Sequence, residues 1–386
     1  MFECLIFISN LVFNLNPMKF IKLIFVVLLA ASPSFCQLID KDATRETLKL
    51  FKSLKKIQKK GVVFGHQHAT EYGRGWRGDD NRSDVKSVVG THPGVIGIDF
   101  SGFTGRNADL YKKNLKKIVE DAYNRGGIIT VAWHFYNPMG KGGFYWEGSD
   151  SIKVVPRLIP GGDGHVKYKE ILDEVAKWVN SCRGVNGELI PMIFRPYHEF
   201  DGGWFWWGAP HCSVDEFKTL WKFTLSYLRD EKNVHSFIWA FSPDNKFNTE
   251  AEFLERYPGD EWVDMVGMDN YADMGRNRYD LDAAVAKLKV VSDYARKHKK
   301  LAAFTETGLE SIPNKTWWTE TLLKVLKAEN LRLSYVLVWR NDQNSETHYY
   351  GPVPNHISAP DFIKFYQDKF TWFEEDLIKK NIYKKK

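Results

Sequence analysis

Short apolar runs alternate with segments of helical periodicity along most of the chain. The apolar runs are bounded by turn-forming or polar residues, as buried strands are, and cover residues 61–67, 94–100, 127–134, 191–194, 235–244, 264–271, 300–307 and 333–340. Apolar positions three and four residues apart predict helices at residues 44–60, 83–89, 109–124, 168–181, 214–228, 250–255, 281–298, 316–328 and 361–369. This alternation, without a break in composition, predicts an α/β fold, a single (β/α)8 TIM barrel.

Each predicted strand ends in a residue that can bind or react. In chain order, these strand-end residues are His66, Asp99, His134, Glu199, Asp244, Tyr271, Glu306 and Trp339. The carboxyl ends of the strands of a barrel converge on one mouth, where the active sites of this fold lie. The sequence therefore predicts one site that draws residues from every strand.

The segment at residues 191–208, PMIFRPYHEFDGGWFWWG, is the most concentrated part of this pattern. Glu199 follows Arg195 and His198 and precedes three tryptophans between residues 204 and 207. An apolar aromatic environment raises the pKa of a carboxyl group, so Glu199 is a candidate proton donor. The alternative is a structural ion pair of Arg195 with Glu199 or Asp201.

Glu199 and Glu306 end the fourth and seventh predicted strands, so only the fold can bring them together. Hydrolysis of a glycosidic bond needs two such carboxyl groups, one that protonates the leaving oxygen and one that meets the developing cation. At a separation of about 5–5.5 Å the second carboxylate acts as a nucleophile and the anomeric configuration is retained.

Several motifs resemble those of glycoside hydrolase family 26, the β-mannanases. The matching segments are FGHQ at 64–67, AWH at 132–134, FRPYHEFDGGWFWWG at 194–208, SPD at 242–244, DNY at 269–271, TETG at 305–308 and VWRND at 338–342. They occur in the family's order and span nearly the whole chain after residue 37. The combination of RPYHE with GGWFWWG is highly specific, whereas FGHQ alone is not.

The resemblance implies roles for individual residues. Glu199 is expected to be the acid/base and Glu306 the nucleophile, with no metal or cofactor. The expected substrate-binding residues are His134, Trp146, His198, Trp204, Tyr271, Trp339 and Arg340. We add Asp99 to this set because it ends a predicted strand. The implied reaction is retaining hydrolysis of β-1,4-mannosidic bonds in mannan, galactomannan or manno-oligosaccharides. Xylanases and mixed-linkage glucanases share the same carboxylate pair and are the alternative.

Two other classes of function need consideration. His66 and His68 form an HxH pair after the first strand, where metal-dependent amidohydrolases of this fold bind a metal ion. Such enzymes need further histidine ligands, typically on strands five and six, and neither residues 237–241 of strand five nor residues 265–268 of strand six include one. A barrel that only binds polysaccharide would not need both glutamates, so their presence argues against that function.

Composition narrows the choice of partners. The formal net charge is +6, but lysine and arginine are spread along the chain, which disfavours nucleic-acid binding. The 14 tryptophans, many beside glycine or aspartate, suit a polysaccharide or oligosaccharide partner, because aromatic faces stack on sugar rings. We expect a monomer.

The first 36 residues are predicted to be a signal peptide, with Met18 as a possible true start. Lys19 and Lys22 precede an apolar run at 23–31 that is too short to span a membrane, and Cys36 precedes a plausible cleavage point. Residues 37–386 would then form the catalytic domain of an exported protein, periplasmic or secreted, without membrane attachment. Cys182 and Cys212 are expected at opposite ends of the barrel, too far apart for a disulfide.

Two loops rich in glycine and arginine, at residues 73–82 and 273–278, are predicted to lie at the barrel mouth. Loops on this face shape the binding cleft. Either could close the cleft at one end so that mannobiose is released. The alternative is that both are plain connections over an open, endo-acting cleft.

Overall fold

Parallel strands form a closed barrel in the computed structural model, which describes residues 38–140, 142–148 and 152–383. The strands are β1 (Val62–Gln67), β2 (Tyr72–Gly73), β3 (Trp76–Arg77), β4 (Val95–Asp99), β5 (Ile128–Ala132), β6 (Met192–Arg195), β7 (Phe237–Phe241), β8 (Met265–Asp269), β9 (Leu301–Thr307), β10 (Tyr335–Val338) and β11 (Thr371–Trp372). β1 and β4 to β10 pair in chain order, and β10 pairs with β1 to close the ring. The predicted (β/α)8 barrel is confirmed.

Helices connect the strands around the outside of the barrel. They are α1 (Arg45–Ile57), α2 (Asp84–Val89), α3 (Ala108–Arg125), α4 (Val155–Leu158), α5 (His165–Val179), α6 (Val214–Ser226), α7 (Glu250–Phe253), α8 (Leu281–Lys297), α9 (Lys324–Leu326), α10 (Ala359–Gln367) and α11 (Glu374–Lys380). Two stretches, Tyr227–Glu231 and Trp317–Leu323, are π-helical. None of the helices within the described residues combines the length and the apolar character that crossing a bilayer requires.

Most predicted strands extended a few residues too far at their carboxyl ends. The polar residues there leave the ladder and turn into the mouth, as His134 does after β5 ends at Ala132. The hairpin of β2 and β3, and β11, which pairs with the start of β1, were not predicted. Each of these strands is two residues long, which is too short to show a hydrophobic pattern.

Cys182 and Cys212, the cysteines within the described residues, are free, as predicted. Cys182 follows α5, and its Sγ lies 3.4 Å from the carbonyl oxygen of Trp178. Cys212 follows the aromatic segment after β6, and its Sγ lies 3.5 Å from the carbonyl oxygen of Trp207. The predicted signal peptide and its cleavage point fall on residues 1–37, outside the described residues.

The core lies between the barrel and its helices. Phe64 on β1 is fully buried, and its ring lies 5.2–6.0 Å, centroid to centroid, from the rings of Trp318, Phe362, Phe365 and Phe373. This cluster fixes the first strand against α10 and the segment that precedes α11.

Replacement of Phe64 with alanine should lower the free energy of unfolding by about 3–5 kcal/mol, because the cavity removes contacts to four rings. Denaturant-induced unfolding measures the change. The matched control is Phe64→Leu, which retains most of the apolar volume and should cost clearly less. Equal stability of both variants and the wild type would show that this cluster does not stabilise the barrel.

Candidate active site

A cleft of about 630 Å³ opens at the carboxyl ends of the barrel strands. Its walls include most of the side chains that the sequence pointed to, namely His134, His198, Glu199, Trp204, Tyr271, Glu306 and Trp339. They come from the ends of β5, β6, β8, β9 and β10 and from the loop after β6. The fold thus brings both glutamates into one cleft.

The carboxylate of Glu306 is held from two sides and is almost completely buried, with 3% of the residue exposed. One oxygen accepts a hydrogen bond from the Arg195 guanidinium. The other accepts a hydrogen bond from the Tyr271 hydroxyl at 2.9 Å. A guanidinium and a hydroxyl donor both stabilise the ionised form of a carboxyl group, so Glu306 is prepared to act as an anion.

Arg195, on β6, forms hydrogen bonds with residues at the ends of three other strands, β7, β8 and β9. Its Nη1 donates to Asp269 Oδ2 at 2.8 Å and to Ser242 Oγ at 3.0 Å, and its Nη2 donates to Glu306. Asp269 also accepts a 2.6 Å hydrogen bond from the Thr305 hydroxyl. Burial raises the pKa of Asp269 well above its usual range, and Arg195 opposes that rise.

The alternative ion pair of Arg195 with Glu199 or Asp201 is therefore wrong. Arg195 points across the barrel to Asp269 and Glu306. Asp201 instead accepts backbone N–H bonds from residues 244 and 246, at 2.6 and 3.1 Å, and so fixes the loop after β7.

Glu199 lies in a different environment from Glu306. Its Oε2 accepts one hydrogen bond from the Trp204 indole N–H at 2.7 Å. Burial, followed by the nearby carboxylates of Asp269, Asp244 and Glu306, raises the pKa of Glu199 well above its usual range, against the lowering effect of Arg195. A raised pKa favours the protonated form of a carboxyl group, so Glu199 is suited to donate a proton.

The backbone after β6 turns sharply to present Glu199. Tyr197 and Glu199 both have left-handed conformations, with φ of 50° and 53°. The backbone N–H of Glu199 donates to the carbonyl oxygen of Ser242 at 3.0 Å, which ties this turn to the end of β7.

Asp99 requires a correction. It was predicted to bind substrate, but it is 3% exposed and is not part of the cleft wall. Its carboxylate accepts from the His134 ring nitrogen Nδ1 at 2.5 Å and from the backbone N–H groups of His134 and Ser101. Asp99 therefore orients His134, whose ring does line the cleft. Burial alone would raise the pKa of Asp99, but its hydrogen bonds and nearby His134 lower it.

His198 lies in the cleft wall beside His134, with the ring centroids 4.6 Å apart. Burial, together with nearby Arg195 and His134, lowers the pKa of His198 well below its usual range. Its imidazole is therefore neutral at physiological pH, and it can take part in hydrogen bonds without adding positive charge.

Two further predicted sugar-binding residues lie outside the main cleft wall. Trp146 stacks on His211, with centroids 3.7 Å apart and planes at 11°, and its backbone N–H donates to the carbonyl oxygen of Trp204 at 2.7 Å. Trp146 therefore supports Trp204. Arg340 lines an adjoining pocket together with Tyr72 and pairs with Asp342 at 2.8 Å.

The HxH pair does not form a common site. Burial lowers the pKa of His66 to about 4, whereas His68 pairs with Glu71 at 2.7 Å in the adjoining pocket. His198, Asp269 and Glu306 do place potential ligand atoms within 4.8 Å of one another. The Arg195 guanidinium already contacts both of these carboxylates and supplies the compensating positive charge.

Several cleft residues were not singled out by sequence reasoning. The Lys246 ammonium lies 5.0 Å from the centroid of the Trp204 ring. Tyr145 and Tyr350 also line the cleft. They lie in loops rather than at strand ends, so position alone gave no signal. Asp269 could have been found from the sequence, since it is the first residue of the DNY motif at 269–271. Its hydrogen bond with Arg195 becomes visible only in the fold.

Comparison with known proteins agrees with this geometry. The sequence model of the family described as glycosyl hydrolase family 26 matches residues 39–373 of this chain. The family 26 β-mannanase from Bacteroides ovatus is 43% identical, with a TM-score of 0.82, and the match covers 89% of this chain and 98% of that one. The family 26 protein GH26C from a Muricauda species is 35% identical, with a TM-score of 0.84 and coverages of 90% and 96%.

A curated relative is longer than this chain. The mannan endo-1,4-beta-mannosidase of Bifidobacterium adolescentis is 36% identical over 294 residues, which are 72% of this chain but 28% of the relative. The matched region thus spans little more than a quarter of that protein. Because the family model matches most of the described residues, including both glutamates, this chain belongs to glycosyl hydrolase family 26.

Proposed function

We propose that the protein is a retaining β-mannanase, with Glu199 as acid/base and Glu306 as nucleophile. The observation that carries this proposal is the contrast between the two carboxyl groups in one cleft. Glu306 accepts hydrogen bonds from Arg195 and Tyr271, which favour its anion. Glu199 has a raised pKa, which favours its protonated form. Retaining glycosidases need one carboxyl group of each kind.

In the first step a Glu306 oxygen attacks the anomeric carbon of the sugar. The bond from that carbon to the leaving oxygen breaks as the bond to Glu306 forms, and the Glu199 proton moves to the leaving oxygen. Trp204 then donates its hydrogen bond to the Glu199 carboxylate. The step needs no cofactor, because the proton and the nucleophile both come from side chains.

In the second step water replaces Glu306 on the anomeric carbon. Glu199, now ionised, takes a proton from the water as its oxygen attacks, and Glu306 leaves as a carboxylate. Arg195 and Tyr271 again stabilise the departing anion. Two displacements at one carbon retain its configuration.

The choice of mannan is supported by the relatives. The Bifidobacterium adolescentis protein is named a mannan endo-1,4-beta-mannosidase, and the Bacteroides ovatus structure is described as a β-mannanase. The substrates we propose are therefore β-mannan, galactomannan and manno-oligosaccharides. Xylan and mixed-linkage glucan are the competing polymers against which this choice is tested.

We also propose that the protein is exported, acts in the periplasm or outside the cell, and is a monomer. The support for export is the pattern of residues 1–36, in which two lysines precede a short apolar run and a small residue, Ser34, stands three positions before Gln37. N-terminal sequencing of the mature protein tests this cleavage point. A first residue other than Gln37 would contradict it.

Mutation of the two glutamates should separate their roles. Glu306→Ala should abolish hydrolysis of every substrate, because the glycosyl-enzyme bond cannot form. Glu199→Ala should lower the rate of mannan hydrolysis roughly 10²- to 10⁴-fold. It should lower the rate far less on aryl mannosides, because their leaving groups need little protonation. Steady-state kinetics on both substrates measures the difference, with the exposed Glu329→Ala as control. Equal losses of the two variants on the aryl substrate would contradict the assignment.

Removal of the Asp244 charge should lower the pKa of Glu199. The ionised Asp244 carboxylate is one of the groups that raise this pKa, and burial raises the pKa of Asp244 itself to about 7. Activity is lost as pH rises through the pKa of the acid, so Asp244→Asn should move the alkaline limb of kcat/KM to lower pH, by up to about one unit.

The control for this pH profile is Asp109→Asn, whose carboxylate is fully exposed on α3. Its alkaline limb should coincide with that of the wild type. If the alkaline limb of the kcat/KM profile of Asp244→Asn stays in place or moves to higher pH, Asp244 does not raise the pKa of Glu199.

We further propose that mannobiose is the main product. Arg276 and Asn277, from the loop after β8, line the cleft, while Tyr72 and Arg77 of the β2–β3 hairpin line the adjoining pocket beside Arg340. Loops in these positions can limit how many sugars fit on one side of the scissile bond.

Product analysis on mannan and on short manno-oligosaccharides tests this mode of action. We expect mannobiose to dominate from the earliest time points, with little hydrolysis of xylan or mixed-linkage glucan in parallel assays. An early ladder of mixed oligosaccharides with a rapid fall in viscosity would indicate an open cleft. Faster hydrolysis of xylan or glucan than of mannan would contradict the proposal that mannan is the substrate.

A further inference from the structure

A line of aromatic rings continues from the cleft wall onto the protein surface. Tyr145 lines the cleft and is 55% exposed, and Tyr136 lies beyond the cleft wall and is 41% exposed. The ring of Phe144, which is partly buried, lies between them. We call Tyr136, Phe144 and Tyr145 the aromatic strip. Neither the mechanism nor the predicted sugar-binding residues make use of it.

The rings of the strip contact one another in sequence. Tyr145 stacks on Phe205 of the cleft wall, with centroids 5.7 Å apart and planes at 19°. Phe144 lies 4.6 Å from Tyr145, and Tyr136 stacks on Phe144 at 5.7 Å and 20°. The strip is thus a continuous apolar path that begins in the cleft and ends in solvent.

Backbone hydrogen bonds hold the strip in place. The N–H of Asn137 donates to the carbonyl oxygen of Gly143 at 3.0 Å, which sets Tyr136 beside Phe144. Tyr145 and Phe205 form an antiparallel bridge, and the N–H of Trp206 donates to the carbonyl oxygen of Phe144 at 3.3 Å. A fixed platform binds at lower entropic cost than mobile side chains would.

We propose that the aromatic strip is an additional binding site for mannosyl units of a long chain whose scissile bond lies in the cleft. This inference rests on the proposed function, since it takes its ligand from the substrate. The reason for this occupant is continuity, because a polymer that leaves the cleft past Tyr145 reaches Tyr136 next. Exposed tyrosine rings present flat apolar faces and a hydroxyl, which suits the faces and hydroxyls of pyranose rings.

The test compares Tyr136→Ala with the wild type on substrates of different length. On polymeric mannan the variant should raise KM roughly fivefold, because each chain loses one ring contact, while kcat stays the same. On mannotetraose, which is too short to fill the cleft and also reach the strip, kcat/KM should be unchanged. Tyr136→Phe keeps the ring and should retain most of the affinity for the polymer.

Ile378→Ala is the matched control for the loss of an exposed apolar side chain, since Ile378 is 53% exposed on α11 and does not line the cleft. It should leave KM unchanged on both substrates. Equal KM values for Tyr136→Ala and the wild type on the polymer, or equal losses on short and long substrates, would overturn the strip as a binding site. A wild type that does not cleave mannan would instead overturn the proposed function.

Discussion

The buried guanidinium of Arg195 is the constraint on which the site depends. It lies on β6 and bonds to Asp269 on β8 and Glu306 on β9, and it also donates to Ser242 after β7. A single cation thus compensates two buried carboxylates and couples four consecutive strand ends. Loss of one partner from such a network leaves a buried charge without compensation, which costs far more than a surface ion pair contributes. The position of the Glu306 carboxylate is therefore part of the stability of the barrel.

The same cation also explains why the two glutamates differ. Arg195 contacts Glu306 directly, whereas Glu199 has the Trp204 indole as its hydrogen-bond partner and three carboxylates nearby. Two residues of the same type can therefore differ in chemistry, because each carboxyl group has its own hydrogen-bond donors and its own neighbouring charges.

Much of this could be predicted from the sequence, and the rest could not for identifiable reasons. The barrel followed from the alternation of apolar runs and helices, and both glutamates followed from their positions at strand ends. The partners of Arg195 did not, because Asp269 and Glu306 lie on strands that are distant in sequence. Asp99 ends a strand as His134 does, yet its buried carboxylate bonds to His134 and does not line the cleft, and spacing along the chain does not reveal this difference.

The left-handed backbone at Tyr197 and Glu199 has a consequence for attempts to make this protein more robust. Outside glycine, asparagine and aspartate this conformation is uncommon, and it costs of order 1–2 kcal/mol per residue. Engineering guided only by backbone preference would place glycine at position 199 and would gain stability by deleting the proposed proton donor. Thermal resistance and turnover therefore compete at this single turn, and improvements in resistance have to come from elsewhere in the barrel.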